Sequence, residues 1–516
     1  MKAQDYKISS EKFVFRAENK NLHDTKLETK PVSYFQDALH RFTRNKASIV
    51  ATVIIAILVL FAIIAPICSP YTVAYEDANY AFARPKNQLF YDLGIPFWDG
   101  GTEKEITQAA YDAYRGIEEE LGVKVFMSEP VVREETYMGK TKKLYTFRLD
   151  TYNAVGAKFE LLTTQQYEAL QKYQDENNVQ VILPITDPDL RPEAEQDANN
   201  ANIWYKTKLG AGRKTEIVFS KKDGSFIPIY LANDGKDGYT SKMYWEGEEK
   251  LYNYAEPKSG GMWNVRVNYR EYYIYKHAMA DDGIKEPLFL LGANNAGKDL
   301  FTCLASGARF SFILAILVAS VNLFVGAIYG AIEGYYGGKI DIFMERFVEI
   351  IGSIPFMIVI TLLKYHFNVS HMIILFISFF LTGWTGMAGR TRMQFYRFKN
   401  QEYVLVARTL GARDRRIMFK HIFPNAIGTL ITSSVLVIPG VIFSETSLSY
   451  LGIIDLNTGG ITSVGTLLAS GQQYLFTYPH MILFPAIFIS LLMLSFNLFG
   501  NGLRDAFNPS LRGTEE

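Results

Sequence analysis

The sequence predicts an α-helical polytopic membrane protein of six transmembrane helices, with an α+β extracytoplasmic domain inserted between the first helix and the second. Three observations predict it. Six apolar runs approach or reach the length needed to cross a hydrocarbon core: residues 47–69, 310–332, 422–444 and 481–503 each hold 23 residues without a charge, while 347–363 and 372–389 are shorter and more broken. Residues 70–309, between the first two runs, are polar and carry 29 basic against 36 acidic groups. Charge also alternates across the runs. Nine Lys or Arg between residues 390 and 421 face only Glu402 and Asp414, whereas 446–480 holds no Lys or Arg; by the positive-inside rule the first stretch is cytoplasmic and the second is outside.

The formal net charge of zero over 516 residues therefore hides a partition. Residues 1–46 hold ten basic and six acidic groups and read as a cytoplasmic tail. The acidic 70–309 stretch argues against nucleic acid as a partner. Residues 47–69 reach roughly 35 Å as a helix, enough for a core of about 30 Å with some tilt. The tail ahead of them is too long and charged for a typical signal peptide, so the run is kept as an anchor. The chain thus divides into a tail (1–46), a first transmembrane helix (47–69), an extracytoplasmic α+β insertion (70–300) and a core with five more helices (301–516). Six spans leave both termini cytoplasmic in a multi-pass plasma-membrane protein.

Within the insertion, Thr102 with Glu105 reads as a capping box for a helix through Ile106, Ala109, Ala113, Ile117 and Leu121, stopped by Gly122. Thr163 with Gln166 opens a second helix. Runs 144–149, 157–162, 179–183, 203–206 and 263–269 alternate and are rich in aromatics, as strands do. Lys222-Asp223-Gly224 is a turn between strands at 215–220 and 226–231. Only Cys68 and Cys303 occur, so the domain relies on its core and not on a disulfide framework. The string from Gly292 to Asp299 nearly spells a phosphate-binding loop, but Asp299 stands where a Mg²⁺-binding Ser or Thr is needed. The seven histidines are scattered, and neither a metal-spaced cluster nor a nucleophile motif stands out.

In the core, Glu349 three residues after Arg346 predicts an ion pair at a helix end. Pro355 and Pro439-Gly440 interrupt their runs. Gly326, Ala327, Gly330 and Ala331 have close-packing spacing. The most informative stretch is 401–425, QEYVLVARTLGARDRRIMFKHIFPN. It reads as a helix ending at Leu410, a left-handed C-cap at Gly411, a second helix, and a closing Pro424, together a compact knob below the bilayer.

The spacing of Ala407, Gly411, Arg416-Ile417, His421 and Pro424-Asn425 resembles the cytoplasmic coupling loop of ATP-binding-cassette (ABC) importer permeases, in its peptide and nickel variant. Leu405 and Val406 replace the alanine pair usual before Ala407. Pro66 with Ser69-Pro70-Tyr71, Gly307-Ala308-Arg309 and Gly502-Leu503-Arg504-Asp505 with Pro509 and Leu511-Arg512 resemble other landmarks of that family, so the likeness covers about 41–75 and 290–512. It implies the C-type membrane subunit of an oligopeptide or dipeptide importer and assigns coupling to the ATPase to Ala407, Arg408, Gly411, Ala412, Arg415, Arg416, His421 and Pro424. It further implies a second permease, two ATPase subunits that bind ATP and Mg²⁺, an extracytoplasmic solute-binding protein and membrane lipid as partners, with no cofactor in this chain itself. The other expectation left open by the residues is a membrane-anchored binding or sensory protein.

Overall fold

The computed structural model describes residues 34–96, 98–137, 140–183, 207–209, 215–217, 255–456 and 462–507. Five helices among them are long and apolar enough to cross a membrane: Lys46–Cys68, Leu300–Tyr336, His371–Phe398, the run Asp414–Tyr450 and His480–Ala506. The run expected as a span at 347–363 is instead a pair of helices, Gly338–Gly352 and Phe356–His366, bent by 69°. Pro355 explains the break, since it disfavours helical backbone in the residue before it and sits in extended conformation itself. Counted as one, the pair brings the spans to six. Arg346 and Glu349 form the expected exposed ion pair on its first half.

The 37-residue Leu300–Tyr336 helix is the spine. At 1.5 Å per residue it is about 55 Å long, well beyond the roughly 30 Å of a hydrocarbon core. It lies against His371–Phe398 along Gly326, Gly330 and Gly334: a Cβ on Gly330 would sit 2.1 Å from the Ala388 carbonyl oxygen, and one on Gly334 would sit 2.7 Å from Phe395 Cβ. Backbones approach this closely only where side chains are missing. Lys46–Cys68 packs between the spine and His480–Ala506, with Asn45 Oδ1 capping it through the amides of Ala47 and Ser48.

Between the first span and the spine lies an α+β body. One antiparallel sheet has the order β1-β3-β2 (Gly101–Thr107, Lys140–Asp150, Val131–Tyr137); a second has β4-β8-β7 (Ala157–Thr163, Met262–Asn268, Ala255–Lys258). Helix Gln108–Leu121 closes the first over Ile117, Phe147 and Leu149. Helices Thr164–Asn177 and Tyr269–Ala280 cover the second with a core of tyrosines, among them Tyr71, Tyr80, Tyr152 and Tyr273. Burial keeps these phenols neutral and pushes that of Tyr71 up to about 12. β5 (Thr207–Leu209) pairs with β6 (Thr215–Ile217).

Thr102 and Glu105 do not cap a helix; they lie in β1, paired residue for residue with β3, and the Thr102 hydroxyl accepts from Arg84. The helix starts six residues later and ends, as expected, on left-handed Gly122. The Thr163/Gln166 capping box is present. Residues 179–183 join β8 through a single bridge, Ile182 to Val267, and not as a full strand. Residues 203–206 and 218–231 lie outside the described residues. Cys68 and Cys303 are both free thiols, the second buried. The string from Gly292 to Asp299 is a turn packed against the chain: a Cβ at left-handed Gly297 would collide with the Asp77 backbone, Lys298 pairs with Glu76, and Asp299 caps the spine through the Thr302 amide.

Candidate functional site

The knob forms as the glycine predicts. Helix Glu402–Thr409 ends in a Schellman turn, with the Gly411 amide donating to the Arg408 carbonyl and the Ala412 amide to that of Ala407, both at 3.0 Å. Gly411 has φ +81°, and no atom lies within 4 Å of where its Cβ would be. Here the glycine answers to backbone conformation alone. Arg413 then caps a new turn, and Asp414 at its start complements the helix dipole.

Pro424 does not close the second helix, contrary to expectation. Helix runs from Asp414 through it to Tyr450, and the irregularity falls just before it as a π turn over Ile417–Ile422. A proline inside an α-helix leaves the carbonyl four residues back, here that of Lys420, without its donor. The wider turn absorbs that loss, the Phe423 amide reaching back to Met418. Asn425 Nδ2 donates to the Tyr403 hydroxyl at 3.2 Å, fastening the second half of the knob to the first.

The knob is pinned at its base. Val404, Ile417, Met418 and Ile422 are buried against Ala331 and Tyr335 of the spine and Phe395 of the neighbouring helix. The Tyr335 hydroxyl donates to Asp414 at 2.6 Å, and the Arg408 guanidinium lies 5.8 Å from the centre of the Tyr335 ring. Ala407 is only 9% exposed, so it supports the turn from within; Ala412 and His421 are half-buried. Arg408, Gly411, Arg415, Arg416 and Pro424 are exposed. Beside them stand Leu405, Val406 and Leu410, the last 81% exposed. The outer face is therefore a patch of bare apolar residues ringed by guanidinium groups.

Above the knob lies a polar network that sequence reasoning missed. Arg392 chelates Asp341 at 2.6 and 3.0 Å and stands 3.3 Å from the fully buried Glu333, while Lys399 Nζ donates to the Gly334 carbonyl. It ties the spine, the Gly338–Gly352 helix and the His371–Phe398 helix together next to the knob. A second buried carboxylate, Glu445, accepts from Ser311 at 2.9 Å and Ser449 at 3.1 Å. The signal existed: the apolar runs were cut at residues 332 and 444 by these two glutamates, and the helices continue through them.

The site is thus a bundle of apolar helices with a cation-ringed knob pinned to one end. Residues 322–513 match the family described as binding-protein-dependent transport system inner membrane component. Residues 33–85 match the N-terminal TM domain of oligopeptide transport permease C. The oligopeptide transport system permease protein OppC of Bacillus subtilis is 39% identical over 221 residues, covering 43% of this chain and 72% of that protein. The dipeptide transport system permease protein DppC of Lactococcus lactis subsp. cremoris is 37% identical over 303 residues, 57% of this chain and 83% of its own. The chain belongs to this family of C-type oligopeptide and dipeptide ABC permeases. An inward-facing MetNI methionine ABC transporter superposes with a TM-score of 0.32 at 14% identity, covering 40% of this chain and 96% of that one, a match too loose to bear on the fold. As a permease, the chain is a transporter subunit and not an enzyme, and it works with a partner permease and an ATPase.

Proposed function

We propose that this chain forms half of a peptide translocation path, beside a second permease and above two ATPase subunits, and that the 401–425 knob carries the ATPase stroke into the bundle. The observation that carries this is the knob's division into a buried base and a bare tip. Val404, Ile417 and Ile422 lock it to the spine, while Leu405, Val406, Leu410 and the arginines face outward. A rigid lever needs both halves. The tip suits an apolar cleft with an acidic rim on the ATPase, and ATP and Mg²⁺ belong to that partner. The close packing of the Gly297 turn on the Asp77 backbone suits a structural turn at 292–299.

In this reading the knob and both termini are cytoplasmic and the α+β body is extracytoplasmic. The body is fastened to the bundle: Phe82 stacks on Tyr478 at 4.3 Å, Trp98 on Phe484 at 5.8 Å, and Arg84 donates to the Thr477 carbonyl at 2.6 Å. Those contacts suit a fixed platform at the outer mouth that receives a peptide-carrying solute-binding protein. A sensory or surface-binding role has no observation in its favour. The test is cross-linking in the assembled transporter. Cysteine at Leu410, in a chain with Cys68→Ser and Cys303→Ala, is expected to cross-link to an ATPase subunit, and cysteine at the buried Ala407 is not. Equal cross-linking at both positions, or none at Leu410, would remove the lever.

A further inference from the structure

Where the first span leaves the membrane, two cavities adjoin. The larger, of 1080 Å³, runs along Ile57, Leu60, Ile64 and Cys68 of the first span and rises past Tyr71 to Lys285, Glu286, Leu288 and Phe301. Its size lies at the upper end of small-ligand pockets. The smaller, of 250 Å³, is lined by Lys86, Lys124, Arg270 and Asn153. Gln88, Glu286 and Leu288 line both, so the two share a wall and make a two-part cleft, with an apolar lower cavity beside a polar, cationic upper one.

Ile57 and Cys68 are eleven residues apart on a helix, so the apolar part extends along the span by about 16 Å, about half the thickness of a hydrocarbon core. The side chains that wall it, Ile57, Leu60 and Ile64, are roughly half exposed to the surrounding medium. Above them the cations are not equivalent. Lys86 is held by Asp150 and by the rings of Tyr91 and Tyr152, and Arg270 by Glu271 and Glu286. Lys124 and Lys285 are exposed and have no ion pair among the described residues. One free ammonium therefore stands in each part of the cleft.

We propose that this cleft binds an anionic phospholipid of the adjoining leaflet, its acyl chains along Ile57, Leu60 and Ile64 and its phosphate between Lys285 and Lys124. Neither part alone suits such a ligand. An apolar groove without cations would take any chain, and a cationic chamber without the groove would take any soluble anion; their adjacency across a shared wall, with Lys285 already in the apolar cavity, and their position at the end of the first span select an amphiphile. The site needs no assignment of which face of the membrane is outside. A bound lipid would wedge the first span against the segment 283–290 and so brace the α+β body on the bundle.

Cys68 lines the cleft and is exposed, while Cys303 is buried, so the natural chain carries its own reporter. The experiment uses the assembled transporter in nanodiscs of phosphatidylglycerol or of phosphatidylcholine, with maleimide labelling of Cys68 and lipid analysis after delipidation. Labelling is expected to slow severalfold in phosphatidylglycerol relative to phosphatidylcholine, and that lipid to survive delipidation. Lys124→Glu with Lys285→Glu should abolish the difference between lipids; Leu60→Trp should release the retained lipid while assembly, followed by gel filtration, is unchanged. Equal labelling rates in both lipids would overturn the proposal. Slow labelling that ignores lipid and depends only on the partner permease would overturn it too, assigning the groove to a protein helix, and protection by inorganic phosphate alone would reduce it to an anion site.

Discussion

Gly411 and Gly330 both exclude a side chain, for opposite physical reasons. At Gly411 there is open space and a left-handed backbone; at Gly330 the backbone is helical and the Ala388 carbonyl fills the space. Gly330→Leu is therefore expected to separate the spine from the His371–Phe398 helix, costing about 3 kcal/mol or more. The check is yield and thermal stability of the purified subunit; a variant as stable as the natural chain would show that the contact is slack. Both glycines could be read from the sequence, one from its place between a helix and a basic turn and the other from small-residue spacing. Glu333 and Glu445 could not, because a search for charge-free runs treats a glutamate as the end of a helix. Their partners, Arg392 in one case and Ser311 with Ser449 in the other, are 59, 134 and four residues away. The ion-pair partner of Glu333 and the Ser311 donor of Glu445 lie across the bundle, where no local pattern reaches.

Among elements, helix bounds were legible wherever a start or stop signal was a backbone necessity, as at the Thr163 capping box, Gly122 and Gly411. It was misread where a local rule competed with pairing. Thr102 and Glu105 have capping-box spacing, yet seven residues of ladder with β3 outweigh one reciprocal cap worth about 1 kcal/mol. Pro424 misled in the same way, because a π turn lets the helix pass through it. The two sheets of the α+β body are joined by a contact that neither pattern nor spacing predicts. Arg266 of β8 makes two 2.6 Å hydrogen bonds to Glu120 at the end of Gln108–Leu121, with both side chains more than nine-tenths buried. Arg266→Met leaves a buried carboxylate uncompensated and is expected to destabilise the body by roughly 3–5 kcal/mol. Adding Glu120→Leu should recover most of that loss. Denaturant unfolding of the two variants decides it: a double variant no better than the single one would mean that the pair holds the sheets by more than its charges.

At the scale of the whole molecule, the six-run pattern made the membrane architecture legible, and the break at Pro355 changed one span into a bent pair. The α+β body was legible as a class but not in its attachment. Phe82, Arg84 and Trp98 meet the start of the last helix, nearly four hundred residues later in the chain, a distance at which no sequence pattern operates. The orientation is checked by an impermeant thiol reagent on intact cells in a Cys68→Ser background. Cysteine at Lys172 should be labelled and cysteine at Arg413 should not; the reverse pattern would invert the molecule. Whether the knob is the coupling lever is decided by Gly411→Val in the reconstituted transporter. Valine at φ +81° is expected to cost about 1–2 kcal/mol locally and to misaim the helix that begins at Asp414. The measurement is ATP hydrolysis with and without peptide-loaded binding protein. Assembly and binding-protein capture should stay intact while stimulation and transport are abolished; stimulation at the natural level in Gly411→Val would rule the lever out.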